Sequence, residues 1–340
     1  MKSKVFILLI AVLMISGIMA GCGNSNSSEN TTTAPVETTA PAETTAAPVE
    51  TTEAPVAQKR VIGCAMTAST IEHSVHFAEG VRSIVEGNGD EIVLVDEALD
   101  LNIANKVIED LIAMKVDGIV IEGLDTEAHM GVIKQANDAG IIVVQSDNWC
   151  VDESITVGQA ASDNFQAGYE CGLDAVRQLG DAAKGAKVII LDNPAASAAV
   201  ERVEGFIKGA VTEGGMEIVA QQKANGVQEG NFITENLLQA HPDVNVIFGQ
   251  HDPVAMGALA ALKAANMEGS VLVYGVDGNQ ENLEQIKAGV MAGTAAQDPS
   301  TMGKTSAQFL YDYWDGKTYE KKVSIPCVFI NKDNVDQYLK

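Results

Sequence analysis

Five short apolar runs in this chain each end on polar residues, and no other feature limits the possible folds as much. Asp117-Gly-Ile-Val-Ile runs into Glu122, Ile141-Ile-Val-Val into Gln145 through Asn148, and Lys187-Val-Ile-Ile-Leu into Asp192 and Asn193. Val244-Asn-Val-Ile-Phe leads to Gln250, His251 and Asp252, and Val271-Leu-Val-Tyr leads to Asp277. Runs of this length, rich in β-branched residues, read as strands buried on both faces. Helical segments alternate with them, which predicts a parallel α/β sheet. In such sheets small ligands bind in the crevice at the carboxyl ends of the strands. Polar side chains gathered at those ends predict a site for a small, hydroxyl-rich molecule.

The alternation starts near Lys59. Val61 to Met66 reads as the first strand. The stripe Phe77, Val81, Ile84, Val85 reads as a helix and Ile92 to Val95 as a second strand. Ile103, Val107, Leu111 and Met114 repeat at helix spacing before the strand at Gly118, and a helix from Thr126 to Ala139 leads to strands at Ile141 and Ile155. Ser162-Asp163-Asn164 opens the next helix, with Ser162 or Asp163 as N-cap. From Lys187 a second series of comparable length restarts, with strands at Glu217, Val244 and Val271 and a helix from about Ser197. Asp252 as N-cap with Pro253 at the first helical position opens another helix. The tail adds a strand at Thr294 to Gln297, a helix from Pro299 to Trp314 and a last strand around Cys327 to Ile330.

The chain has 340 residues, long enough for two such units. Its formal net charge of −24 argues against a nucleic-acid or anionic-membrane partner. Lys2 and Lys4 precede an apolar run from Val5 to Met19, too short for a membrane-spanning helix and typical of an export signal over residues 1–21. Between Gly23 and Gln58 the chain is almost entirely Thr, Ala, Pro, Glu, Ser and Asn. Such a segment buries no core and reads as a disordered tether with polyproline II character, reaching on the order of 100 Å if extended at ~3.1 Å per residue.

Signals for catalysis are poor. GxGxxG, GxxxxGK[ST] and GxSxG are all absent. His73 and His76 stand one helical turn apart, but no carboxylate at suitable spacing completes a metal site, and Gly87-Asn88-Gly89 reads as a helix C-cap and turn. No metal or other cofactor is expected. Cys64 and Cys327 lie in apolar strands and read as inert buried thiols, whereas a Cys150–Cys171 disulfide is conceivable in an exported protein.

Two resemblances sharpen this reading. Ile18-Met19-Ala20-Gly21-Cys22 resembles a bacterial lipobox, which implies that Cys22 becomes the acylated first residue of a membrane-anchored protein. The tether that follows hints at a Gram-positive surface. From about Val61 onward the chain resembles the type I periplasmic sugar-binding proteins, especially the ribose-binding branch of ABC-transporter solute receptors. The resemblance is carried by Ala161-Ser162-Asp163-Asn164 with Gly168, Ser197-Ala-Ala-Val-Glu-Arg202-Val-Glu-Gly205-Phe206 and His241-Pro242-Asp243. It continues through Gln250-His251-Asp252-Pro-Val-Ala-Met-Gly257-Ala258-Leu259, Gly275-Val276-Asp277-Gly278 and Ala296-Gln297.

Position by position, the resemblance puts ligand contacts at Glu122, Asp147, Asn148, Arg202, Asn225, His251, Asp277 and Gln297. Where ribose binders carry aromatic residues on the first helix, this chain has Ile71, His73 and Ser74, and Trp149 is the candidate for a replacement stacking face. The implied fold is α/β, with two doubly wound Rossmann-like lobes joined by a hinge. The first lobe takes about 59–161 plus 298–325, and the second about 162–297 plus 326–340. The implied function is non-enzymatic. A small sugar or polyol is bound between the lobes of a monomer and passed to an ABC permease. A receptor for a signal or nucleoside-like molecule, or an exported α/β hydrolase, is the alternative.

Overall fold

The computed structural model describes residues 59–125 and 127–340. The expected export signal, Cys22, the tether and Thr126 lie outside the described residues.

The alternation resolves into two six-stranded sheets. The first half of the chain gives β1 (Val61–Met66), α1 (Glu72–Gly87), β2 (Glu91–Asp96), α2 (Leu101–Met114), β3 (Gly118–Glu122), α3 (Met130–Asp138), β4 (Ile142–Ser146) and β5 (Gly158–Ser162). It continues as α4 (Asn164–Leu179), β6 (Lys187–Asp192), α5 (Ser197–Phe206), β7 (Glu217–Lys223), α6 (Gly226–Ala240), β8 (Val246–Gly249) and α7 (Asp252–Ala264). Then come β9 (Leu272–Asp277), α8 (Gln280–Ala288), β10 (Gly293–Ala296), α9 (Pro299–Trp314), β11 (Lys322–Ile325) and β12 (Val328–Asn331).

The first sheet has the order β11-β5-β4-β3-β1-β2 and the second β12-β10-β9-β8-β6-β7. Among the described residues every strand pairing is parallel except that of β10 with β12. Central strands such as β3, buried at all five positions, explain the unbroken apolar runs, because helices cover both faces. Each sheet with its helices forms a lobe. The chain crosses between them after β5, after β10 and after β11. The first two crossings are tied together where Ser162 Oγ donates to Gln297 Oε1 at 2.6 Å.

Several local expectations need correction. No strand forms at Ile155. Residues Glu153–Ile155 make a 3₁₀ turn in which Asp152 accepts from the Ser154 amide. The strand follows as Gly158-Gln-Ala-Ala-Ser162, where Phe309 lies so close over Gly158 that a Cβ would sit 2.3 Å from the ring. Helix α3 starts at Met130, because the Asp125 carboxylate accepts from the Glu127 and Ala128 amides and holds a turn before it. Asp252 does not cap α7. It lies inside the helix, fully buried, and reaches across to accept from the Gly278 and Asn279 amides at 2.9 and 2.8 Å and from Thr294 Oγ1 at 2.8 Å. Cys150 and Cys171 are free thiols, one following β4 of the first sheet and the other inside α4. Strand β11 has no counterpart among the strands expected from the sequence.

Candidate functional site

The first lobe's wall is built where β1, β3 and β4 end and α1 begins. Glu122, the last residue of β3, is almost wholly buried yet fully partnered. Its Oε2 accepts from the Thr67 amide at 2.9 Å, and its Oε1 accepts from Ser74 Oγ at 3.0 Å and from His73 Nδ1 at 2.9 Å. Because the carboxylate accepts, Nδ1 carries a proton. Burial disfavours charge on the ring, but the Glu122 hydrogen bond and the fields of Asp147, Glu122 and Asp277 outweigh it and raise the pKa to about 9. The other nitrogen, Nε2, is buried with no hydrogen-bond partner and stands 4.0 Å from Asp147 Oδ1. Asp147 holds an unfavourable backbone, with φ +67, and burial raises its pKa against the pull of His73 and Arg202.

The second lobe's wall is a hydrogen-bonded web around Arg202, carried by α5. Its Nε donates to Asn164 Oδ1 at 2.7 Å and its Nη1 to the Gln250 carbonyl at 3.1 Å. Nη1 also lies 3.8 Å from Asp277 Oδ1, which accepts from Gln297 Nε2 at 2.7 Å. Like Asp147, Asp277 sits at the end of its strand with a positive φ, here +143. His251 receives the Gln250 amide on Nδ1 at 2.7 Å, so its own proton is on Nε2. Burial, joined by Arg202 and opposed by Asp277, lowers its pKa to about 4 and leaves it neutral.

Between the walls lies a cavity of about 170 Å³. It is lined by Ile71, His73, Ser74, Glu122, Asp147, Asn148, Arg202, Asn225, His251, Asp277 and Gln297, which covers every residue expected from the sequence except Trp149. Asn148 also joins the lobes, accepting from the Ala198 amide at 3.0 Å while donating to the Gly123 carbonyl at 2.7 Å. Trp149 does not offer a stacking face. Its indole donates to Glu201 Oε1 at 2.8 Å, its amide donates to Ser197 Oγ at 2.8 Å, and the Lys322 ammonium covers its ring at 4.6 Å.

Gln250 and Asn193 also line the cavity, named in the sequence as strand-tip polar residues but not among the position-by-position contacts, and Thr67, just after β1, is not signalled by the sequence at all. The remaining lining includes the apolar Leu99, Leu124, Ala198 and Ala199 and no Phe, Tyr or Trp. Among the described residues no group of three or more His, Cys, Asp or Glu could hold a metal ion.

Two α/β lobes around a small cavity dense in donors and acceptors define the class of two-lobed solute-binding folds. Residues 62–318 match the family described as "Periplasmic binding protein domain". The chain is 31% identical over 272 residues to the ribose import binding protein RbsB of Bacillus subtilis, covering 79% of this chain and 87% of that protein. It is 32% identical over 249 residues to a D-apiose import binding protein of Paraburkholderia graminis, covering 72% and 78%. Among solved structures, an ABC transporter periplasmic solute-binding protein from Actinobacillus succinogenes with bound D-allose superposes with a TM-score of 0.74 at 25% identity, over 82% of this chain and all of that one. The chain belongs to the periplasmic binding protein family, in its sugar-binding, ABC-transporter branch, and is not an enzyme. Among the described residues no helix is long and apolar enough to cross a membrane.

Proposed function

We propose that the cavity takes one neutral monosaccharide or small polyol and that the protein presents it to an ABC permease. The observation that carries this reading is the chemistry of the two walls. Carboxylates that accept (Asp147, Asp277), donors that are charged or fixed in direction (His73, Arg202) and amides that do both (Asn148, Asn225, Gln297) face one small volume. His251, Glu122 and Ser74 complete the polar lining, and Ile71 contributes apolar surface. Such alternation suits vicinal hydroxyls, each of which donates once and accepts twice. The cavity's size suits a single sugar ring or its equivalent. A nucleoside-like ligand is disfavoured, because among the described residues no Phe, Tyr or Trp lines the cavity to stack on a base.

The lobes, residues 59–161 with 298–325 and 162–297 with 326–340, then act as two bodies that close on the ligand. The ligand drives closure to the extent that it binds the closed state better than the open one. The protein works as a monomer held outside the membrane by acylated Cys22, and the Cys22→Ala variant is expected to leave the membrane fraction. Unchanged retention and lipid labelling would exclude the anchor.

The central test is a thermal-shift panel of D-ribose, D-apiose, D-allose and myo-inositol, followed by calorimetry. A ligand bound only to the native state raises the apparent melting temperature, by an amount that grows with its concentration over Kd. No shift with any sugar or polyol, alongside a shift with a nucleoside, would reverse the assignment.

A further inference from the structure

We propose that His73 is the specificity-determining residue of this sugar site, a charged donor that binds one ligand hydroxyl jointly with Asp147. The proposal rests on the monosaccharide-or-polyol reading above and assigns the recognition step within it. Three observations carry it. His73 Nε2 is the donor in the cavity wall that is buried and has no hydrogen-bond partner, whereas the other ring nitrogen is already committed to Glu122. Glu122 is in turn held by the Thr67 amide and Ser74 Oγ, so the imidazole cannot turn over without breaking a buried network. Asp147 Oδ1 lies 4.0 Å from Nε2, too far for a direct hydrogen bond and close enough for both atoms to address one hydroxyl oxygen.

The consequence is a rule about the ligand. A hydroxyl placed there accepts from the Nε2–H and donates to Asp147. An ether or methoxy oxygen at that position keeps the first bond but cannot make the second. A deoxy carbon makes neither and leaves an imidazolium and a carboxylate buried without ligand partners, so discrimination against the deoxy sugar is the strongest.

Charge matters as well as geometry. The groups around the ring are Glu122 on β3, Asp147 after β4, Asp277 at the end of β9, Glu72 and His76 on its own helix, Lys340 at the C-terminus paired with Glu72, and Arg202 and His251 in the same cavity. Carboxylates predominate, and they keep the proton on His73. Above the pH at which that proton leaves, Nδ1–H still serves Glu122 and Nε2 becomes an acceptor. The hydroxyl then faces two acceptors and can satisfy only one. Binding therefore weakens as pH rises through about 9, the direction expected for a group needed in its protonated form.

The test takes wild type, His73→Gln and Asp147→Asn through calorimetry at pH 7 and pH 10 with D-ribose, D-allose, myo-inositol and glycerol. Histidine ¹⁵N spectra follow the imidazole. Asn tolerates the positive φ at 147, and Glu122 keeps two other donors when His73 is replaced, so both variants should fold. For the polyol that binds best, wild type is expected to lose at least tenfold in affinity between pH 7 and 10. His73→Gln should bind tenfold or more weakly at pH 7 and lose the pH dependence. The Nε2 resonance, and not Nδ1, should move on saturation. A polyol that binds wild type and His73→Gln alike, with the same pH profile, overturns the role of His73 while leaving the site reading intact. If none of the four binds wild type, the reading on which the proposal rests falls, and the proposal with it.

Discussion

His73 and His251 face the same cavity from opposite lobes, yet one is held as a cation and the other as a neutral ring. Burial works against charge on both. The difference is the company each keeps. His73 donates to a carboxylate and lies in the field of two more, whereas His251 accepts from the Gln250 amide and sits near the Arg202 guanidinium. The walls differ in the same way. On the second lobe, Arg202, Asp277, Gln297 and His251 are linked to one another or to their supports before any ligand arrives. On the first lobe, Glu122 is saturated but His73 Nε2 is left without a partner. The first wall thus leaves an imidazole nitrogen unpartnered in the cavity, whereas the second fixes Arg202 at two points and leaves Asn164 Nδ2 and Asn193 Oδ1 unpartnered. Two lobes of the same architecture thus carry different wall chemistry, set by a few residues at strand tips and not by the fold.

The strongest way to break this comparison is to remove the centre of the second lobe's wall. Arg202→Ala takes away donors to Asn164 and Gln250 and leaves the half-buried Asp277 beside an empty space. Losing a charged partner in a buried network costs about 3 kcal/mol or more, which is on the order of a hundredfold or more in affinity. Calorimetry with the sugar identified by the thermal-shift panel should find binding nearly abolished, with the protein still folded by circular dichroism. Affinity within a factor of three of wild type would show that the ligand does not use this wall.

A smaller effect, independent of any ligand, comes from the two protonation states. His73 has its folded pKa raised from 6.5 to about 9, so its stabilisation is complete below 6.5 and is lost as pH rises through about 9. His251 has its folded pKa lowered from 6.5 to about 4, so its contribution is complete above 6.5 and is lost as pH falls toward 4. Urea unfolding of the unliganded protein should show stability falling by a few kcal/mol as pH rises from about 6.5 to about 9.5, because a tenfold change in proton affinity corresponds to about 1.4 kcal/mol. His73→Gln should flatten that fall. A slope that survives in the variant would mean that another group is responsible and that the two rings do not differ as described.

The smallest effect lies at the rim, where the Lys340 ammonium of the second lobe meets Glu72 of the first at 3.1 Å with both side chains well exposed. Exposed pairs of this kind contribute about 0–1 kcal/mol. Lys340→Ala should change affinity by less than about twofold in the same calorimetry. A tenfold loss would move part of the lobe-to-lobe recognition out of the cavity and onto the rim.

Much of this arrangement is legible in the sequence because the physics is local. An apolar run that stops at a carboxylate or amide marks both a buried strand and its polar tip, so Glu122, Asp147 and Asp277 can be placed from the residue pattern. Strand β5 escapes that pattern because Gly158-Gln-Ala-Ala-Ser162 has no β-branched residue. It is a strand because neighbours β4 and β11 pair with it and Phe309 packs on it. Trp149 departs from expectation for a related reason. Which way a loop side chain points is decided by distant partners, here Glu201 and Lys322, that lie far away in the sequence. The charge on His73 is also illegible, since it depends on carboxylates from three other segments.

The contact between α4 and α5 has an evolutionary side. A Cβ on Gly168 would fall 1.8 Å from the Arg202 carbonyl oxygen, and one on Gly205 would fall 2.0 Å from that of Phe165. The helix bearing Arg202 is thus locked backbone to backbone, and almost any substitution at either glycine would push the guanidinium out of register. A lineage acquiring a taste for a new sugar has little room to experiment there. Its raw material is the opposite wall, where Ile71, His73 and Leu99 can be exchanged one at a time without touching the α4–α5 contact that holds Arg202.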